Sequence, residues 1–401
     1  KAVTVLFLVG TGSRYETKNL NGLAHFLEHM CFKGTKKRPT TLDIAKSLDA
    51  VGASYNAFTA EEQTGFYVRA SSEHFDLALD VLFDMLYASL FSSEEIEREK
   101  GVILEEINMY QDNPQAYIAE VAKKLFYGDQ PLGWQVTGEK EMVQKFNQEN
   151  FIQFRNRFYT PDKMIVAVAG SPNGADWEKK VQDFFQKVQA QKASRFQPIK
   201  EAQQKPAVLA HYKKTDQAHL ILGFRSLPRT DSRRPILKVL NNLLGENMSS
   251  RLFTEVRERR GLAYYVASEM ADFQDTGAFG AVAGIDIYRA KEAVKVILEE
   301  FQKLKTKAVS EEELTRAKEN LKGKLYLGLE ESFDVAEFLA EQELFWGKID
   351  DPEDLVKKYE KVTAQDILKL ANEIFTPKNL NLALIGPFKN ETQFLKILER
   401  F

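Results

Sequence analysis

The sequence predicts an α+β fold built twice: two homologous domains from an internal duplication, each a mainly antiparallel sheet packed with helices. Three observations predict it. In the first half, β-branched apolar runs and one hairpin are interspersed with long amphipathic helices. The same order returns in the second half, where separated anchors keep one spacing: Pro161 and Gly170 recur as Pro377 and Gly386 (377 − 161 = 386 − 170 = 216). Between the halves lies Gln189–Pro206, rich in Gln, Lys and Ala with two prolines, which reads as a connection. These place one domain at residues 1–188, a linker at 189–206 and a second domain at 207–401.

Taken in order, Ala2–Gly10 is a strand-like run, and the loop Thr11–Asn19 leads into a helix that Asn21 can cap and Gly34 can end. Thr40–Val51 reads as an amphipathic helix. Ser54–Thr59 and Thr64–Ala70 read as strands joined by the polar turn Ala60–Gln63. Glu73–Ala88, Ser92–Gln111 and Gln115–Phe126 read as helices; Ser92-x-x-Glu95 offers a capping box at the start of the second. The loop Tyr127–Gly138, a helix near Glu139–Phe158 and a strand at Lys163–Ala169 complete the half.

The second half aligns with the first at further points. Glu95, Arg98 and Lys100 match Glu313, Arg316 and Lys318 at an offset of 218 (313 − 95 = 218). The same offset sets His25, Glu28 and His29 against Leu243, Glu246 and Asn247, so the second copy lacks both histidines.

Those histidines carry the chemistry. His25-Phe-Leu-Glu28-His29 is an H-x-x-E-H motif on a helix. At about 100° per residue, Leu23, Phe26, Leu27 and Met30 form one apolar stripe, with His25, Glu28 and His29 on the other side. Two imidazoles four residues apart, with a carboxylate between, make half of a zinc hydrolase site of the inverzincin type. The alternative is a chance spacing, but the chain has only five histidines. A catalytic zinc needs three protein ligands and a water. On the helix Ser92–Gln111, Glu94, Arg98 and Glu105 form the solvated side. Glu99 and Glu106, seven apart, share a direction with Val102, Ile103 and Tyr110. Carboxylates on a buried stripe are costly unless paired or bound to metal. A structural salt bridge explains them alone; beside an incomplete two-histidine site, one of the two reads as the missing ligand. At the 218 offset they become Ala317 and Lys324, so the acids are lost together with the histidines.

Composition narrows the rest. A chain of 401 residues, 44% hydrophobic, can build two or more cores. A net charge of −3 offers no electrostatic case for nucleic acid or an anionic membrane. Cys31, the single cysteine, excludes an internal disulfide, favours a reducing compartment or one where disulfides are irrelevant, and reads as a packing residue. No apolar run reaches membrane-spanning length and no leader pattern is visible. The chain opens inside a strand-like run, implying a few residues before Lys1.

With these residues in view, the chain resembles the pitrilysin, insulinase and mitochondrial processing peptidase family of zinc peptidases, over essentially its whole length. The matching runs are His25–His29, Phe32-Lys-Gly-Thr35, Asn56-Ala-Phe-Thr59, Glu97–Glu106, Pro131-Leu-Gly133, Gly138 and the two Thr-Pro strand starts. In the second half they are Ser250-Arg-Leu-Phe, Arg257 and Gly261-Leu-Ala-Tyr264. The resemblance is to the short, two-domain bacterial members. It implies a clamshell of two halves and one Zn2+ per chain held by His25, His29 and Glu106. It makes Glu28 the catalytic base and Glu99 an acid supporting the site. Arg257 and Tyr264 are implied to engage substrate across a cleft, Tyr264 also stabilising the oxyanion. It further implies short or unfolded peptides as substrates, a homodimer (or a heterodimer with a related subunit) and a bacterial cytoplasmic location. Trp134 departs from the family, which often has a basic residue after Pro-Leu-Gly.

The run Ser54–Thr59 reads either as an ordinary sheet edge or as the edge to which a peptide adds, with Asn56, Ala57 and Phe58 as substrate-binding residues. The function expected is a zinc metalloendopeptidase. The alternatives are a silent or partner-dependent subunit of a processing-peptidase-like heterodimer and a structural zinc protein. A complete set of three ligands and a base weighs against the silent subunit and the structural zinc protein, while Arg257 and Tyr264 favour self-sufficiency over a partner-dependent subunit without excluding it.

Overall fold

The structure is a computed structural model; it describes residues 1–172, 176–186, 188 and 194–401. The strands are β1 (Ala2–Val9), β2 (Ser54–Thr59), β3 (Thr64–Ser71), β4 (Met164–Gly170), β5 (Ala207–Tyr212), β6 (Gln217–Ser226), β7 (Ala263–Asp272), β8 (Gly277–Asp286) and β9 (Leu380–Gly386). The helices of the first half are α1 (Leu23–Cys31), α2 (Thr41–Asp49), α3 (Phe75–Tyr87), α4 (Ser93–Asp112), α5 (Pro114–Tyr127), α6 (Lys140–Val143), α7 (Gln148–Phe158) and α8 (Trp177–Phe185). Those of the second are α9 (Arg234–Gly245), α10 (Ala290–Thr306), α11 (Glu311–Leu327), α12 (Ser332–Trp346), α13 (Pro352–Glu360), α14 (Ala364–Ile374) and α15 (Thr392–Leu398).

The chain forms two compact units. The first contains 1–109, 134–197 and 328–349; the second contains 110–133, 198–327 and 350–401. The strands follow the division expected at 189–206, but two helices do not. α5, from the first half, belongs to the second unit, and α12, from the second half, belongs to the first. The two are duplicates of each other (114 + 218 = 332). The physical reason is the sheet face each one covers. In β1, Val5, Phe7 and Val9 face a core that includes Leu23, Phe26, Leu27 and Met30 of α1, while Leu6 and Leu8 face Ala336 and Ala340 of α12. A strand buried on both faces has no polar alternation, hence the continuous apolar run in β1. In the second unit, Ile118 and Val121 of α5 lie against Ile221, Ala383 and Ile385. Of the connection, 189–193 lies outside the described residues, and 194–206 has no regular secondary structure.

The first sheet has the order β2-β3-β1-β4 and is antiparallel throughout. The second runs β5-β9-β6-β8-β7, so β7-β8-β6-β9 repeats the first, with β5 added in parallel beside β9. The topology thus repeats as the duplication requires.

Two local expectations change. The helix expected over Glu139–Phe158 is two helices, α6 and α7, because Asn147 caps a new one: its side chain accepts from Asn150 N while the Asn150 side chain accepts from Asn147 N. At Ser92 only half of the capping box forms, Ser92 Oγ accepting from Glu95 N at 3.3 Å while Glu95 pairs with Arg98.

Candidate metal centre

α1 starts differently from the sequence reading. Its cap is Gly22, at φ +95°, and Asn21 makes no side-chain cap. The first-turn amides are held instead by Glu16, five residues before Asn21: its carboxyl oxygens accept from Gly22 N at 2.8 Å and Ala24 N at 2.7 Å, and from Asn21 Nδ2 at 3.2 Å. Helix N-termini carry unpaired N–H groups and a partial positive charge, so an acid is well placed there. Glu16 is buried, which pushes its carboxyl up to about 8. Gly22 is obligatory for a second reason: a Cβ there would sit 2.7 Å from Gly138 Cα, which explains the matching glycine at 138.

α1 is buried nearly all round, including His25 and Glu28; His29 is half-buried. The buried stripe of α4 is Ile96, Glu99, Ile103 and Ile107. Val102 and Tyr110, expected on it, are exposed (49% and 42%), and Glu106 sits at its margin with 21% of its side chain accessible. The two acids therefore have different environments.

Glu106 meets both histidines. His25 Nε2 lies 3.5 Å from Glu106 Oε1, and His29 Nε2 lies 3.5 Å from Glu106 Oε2. The imidazole centroids are 4.7 Å apart. One ligand atom from each of the three residues falls within 4.8 Å of the others. Ligands about 2.0–2.1 Å from a tetrahedral zinc stand about 3.4 Å from each other. Two neutral nitrogens and a carboxylate at this spacing fit zinc in chemistry and in size. His25 Nδ1 is buried with no hydrogen-bond partner among the described residues, so Nε2 is the ring atom engaged.

Glu99 touches the site from behind. Its Oε1 lies 2.9 Å from His29 Nδ1 and its Oε2 lies 2.6 Å from Lys33 Nζ. Burial works to raise its pKa, but the hydrogen bonds from His29 and Lys33 and the charge of Lys33 hold the carboxyl below its usual range. Burial also opposes a charge on His29, yet its bond to Glu99 and the acids Glu28, Glu106 and Glu99 together raise its pKa. Glu28 is pushed up by burial and accepts a hydrogen bond from Thr59 Oγ1 at 2.6 Å. It is the one carboxylate between the two histidines in sequence.

β2 is an edge strand, since among the described residues only β3 pairs with it. Asn56 Oδ1 accepts from Ala57 N at 2.9 Å. The Phe58 ring lies over Gly65, its register partner, where a Cβ would come within 2.3 Å of the ring. Thr59 thus joins this strand to Glu28.

Arg257 and Tyr264 belong to the second unit. Arg257 lies in a π-helical turn, Phe253–Glu258, with its guanidinium 4.9 Å from the Phe253 ring; Tyr264 is 74% exposed. Arg259 and Arg260 pair with Glu255, whereas Arg257 makes no ion pair among the described residues. Short π-helical turns recur at functional sites. In the second copy, Lys324 Nζ donates to Glu246 O at 2.9 Å and lies 3.7 Å from Glu246 Oε2. Cys31 is buried and its thiol is pushed up to about 12; Trp134 lies beneath the Lys18 ammonium, 4.9 Å away.

Sequence reasoning missed Glu16, Lys33, Thr59 and the Glu246–Lys324 pair. Lys33 and Thr59 had a signal, because they lie in the matched runs Phe32–Thr35 and Asn56–Thr59.

The sheet-and-helix duplication and a two-histidine, one-carboxylate centre beside a buried acid define a protein of the zinc-metallopeptidase class of folds. Residues 1–140 match the insulinase family (peptidase family M16) and residues 145–321 match the peptidase M16 inactive domain. A Bacillus subtilis protein called an uncharacterized zinc protease is 37% identical over 97% of this chain and 94% of its own length. A Streptomyces coelicolor protein with the same description is 38% identical over 95% of this chain and 84% of its own. Among solved structures, a protease from Helicobacter pylori is 25% identical with a TM-score of 0.90, covering 96% of this chain and 94% of that one. The chain belongs to the insulinase family, peptidase family M16.

Proposed function

We propose that the chain is a zinc metalloendopeptidase that hydrolyses peptide bonds in short or unfolded peptides, with His25, His29 and Glu106 as the metal ligands. The observation that carries the reading is the pair of 3.5 Å separations between Glu106 and the two imidazole nitrogens, with Glu28 between those histidines in sequence. The names of the relatives as zinc proteases support the peptidase class. When bound, zinc supplies a Lewis acid and lowers the pKa of water towards neutrality.

The chain's own residues do the rest. Glu28, held by the Thr59 hydroxyl, takes a proton from the attacking water and delivers it to the leaving amine. Glu99 fixes the His29 ring through Nδ1, leaving Nε2 for the metal. The β2 edge receives an extended peptide by main-chain hydrogen bonds, with Asn56, Ala57 and Phe58 lining it. Arg257 and Tyr264 engage substrate, Tyr264 through its phenol hydrogen. One zinc per chain follows from the second copy, where Lys324 stands at the position equivalent to Glu106 (106 + 218 = 324).

The test is zinc content and cleavage of a fluorogenic peptide library by the purified protein and by Glu28→Gln. Zinc is retained and cleavage abolished in the variant; full activity would refute the assignment of the base.

A further inference from the structure

We propose that Lys33 is a positioning residue for the metal centre, acting through Glu99 on His29. The proposal rests on reading His25, His29 and Glu106 as ligands, and it assigns a task to the Phe32–Thr35 run that the catalytic reading does not use.

Glu99 is almost completely buried and its two oxygens are divided: Oε1 meets His29 Nδ1 at 2.9 Å, and Oε2 meets Lys33 Nζ at 2.6 Å. A carboxylate with one partner is free to rotate about its terminal bond, and a buried oxygen left without a donor costs free energy. With both oxygens taken, the carboxylate plane has one orientation, and so has the imidazole that bonds to it. His29 Nε2 is then aimed where Glu106 lies, 3.5 Å away. A charge-assisted bond on each side is the strongest form of such a clamp available to a side chain.

The platform beneath Lys33 is itself fixed. Lys33 follows the C-cap residue of α1, Phe32, with its N–H bonded to Met30 O at 3.2 Å. Gly34, at φ +121°, turns the chain so tightly that a Cβ would lie 2.2 Å from Pro39 O. Thr35 N then bonds to Arg38 O at 2.7 Å, and the Thr35 hydroxyl bonds to buried Asp84. The neighbours Lys36 and Lys37 are exposed, whereas the Lys33 side chain is only 23% accessible. The ammonium is therefore delivered to Glu99 by a constrained turn rather than by a free surface side chain.

The experiment measures zinc affinity by competition with a chromophoric chelator, and the visible spectrum of the Co2+-loaded protein, for wild type, Lys33→Met, Lys33→Arg, Glu99→Gln and the Lys33→Met/Glu99→Gln double variant. Lys33→Met weakens zinc binding by about 10- to 100-fold, the range for partners behind a metal ligand, and shifts the Co2+ bands. Lys33→Arg recovers most of both. The double variant binds no more weakly than Glu99→Gln alone, since Lys33 has no route to the metal without Glu99. Wild-type affinity and spectrum in Lys33→Met, or losses that add in the double variant, would overturn the proposal. Glu106→Gln separates the two readings: if it binds zinc as wild type does, the ligand assignment has failed, and if it alone loses zinc while Lys33→Met does not, only the role of Lys33 has.

Discussion

Replacing Glu16 with alanine removes the acceptor for two backbone amides, Gly22 N and Ala24 N, at the start of the helix that carries His25 and His29. Each buried donor left unpaired costs about 1–3 kcal/mol, so roughly 2–6 kcal/mol of stability is at stake. The wild-type acid also has a cost of its own. Its pKa is about 8 in the folded protein, against an ordinary 4.5. Below 4.5 both folded and unfolded chains hold the proton, and no penalty applies. As pH rises through that window the unfolded chain releases its proton while the folded chain keeps it, so stability falls, by up to about 1.4 kcal/mol per pH unit. Alanine has no such term. The deficit of Glu16→Ala against wild type is therefore largest at or below pH 4.5 and shrinks towards about pH 8. Urea denaturation followed by tryptophan fluorescence reads this directly, because Trp134, Trp177 and Trp346 all lie in the first unit. A deficit that stays constant or grows with pH would refute the reasoning, since it would mean an ionised carboxylate held by the helix N-terminus.

Three further outcomes bear on the site. Glu106→Gln loses zinc on dialysis against a chelator while Glu105→Gln, on the exposed side of α4, retains it; equal losses would mean the wrong carboxylate is named as ligand. Thr59→Val lowers kcat about tenfold, as the loss of one hydrogen bond to a charged acid implies, with KM and zinc content unchanged; a fall in zinc content instead would show a structural role. Zinc affinity rises with pH in the range just above the ordinary histidine value of 6.5, because the pKa of His29 is raised and its proton competes with the metal; a flat profile from about pH 6 to about pH 8 contradicts this.

What could be read from the sequence was whatever depends on short spacing. The hairpin Ser54–Thr59 and Thr64–Ser71, the i,i+4 histidines and each Thr-Pro strand start lie within runs of eighteen residues or fewer. The capping pair Asn147-x-x-Asn150 was equally local, and it breaks a helix that apolar periodicity alone joins into one. The partners of the site were not legible, because each spans a long stretch of chain: Thr59 to Glu28 is 31 residues, and His29 to Glu99 is 70. Choosing between Glu99 and Glu106 needed the same information. Periodicity puts them on one side of α4, but only packing shows that Glu99 sits deep against His29 Nδ1 while Glu106, nearer solvent, faces both Nε2 atoms. Glu16 was hidden for another reason. Asn21 has the better local capping chemistry, but its carboxamide donates to Glu16 and to Gln135 O, which leaves the amides to the acid.

The second copy shows what the first site requires. At the 218 offset Glu28 persists as Glu246, while both histidines and both acids of α4 are replaced. A carboxylate enclosed by helices needs a positive neighbour or a set of donors. In the second unit Glu246 has both: Lys324 Nζ within 3.7 Å, and the side-chain amides of Asn241 and Asn242. Lys324 occupies the sequence position of Glu106, so the change reverses the sign of the charge at the place of the proposed ligand. The Lys324 ammonium there pairs with the acid and would repel a cation. In the first unit the same position carries a carboxylate: Glu106 meets both imidazoles, and Glu99 bridges His29 and Lys33. Among the described residues Lys33 pairs with Glu99, which leaves Glu106 against both imidazoles with a negative charge that a divalent cation would balance.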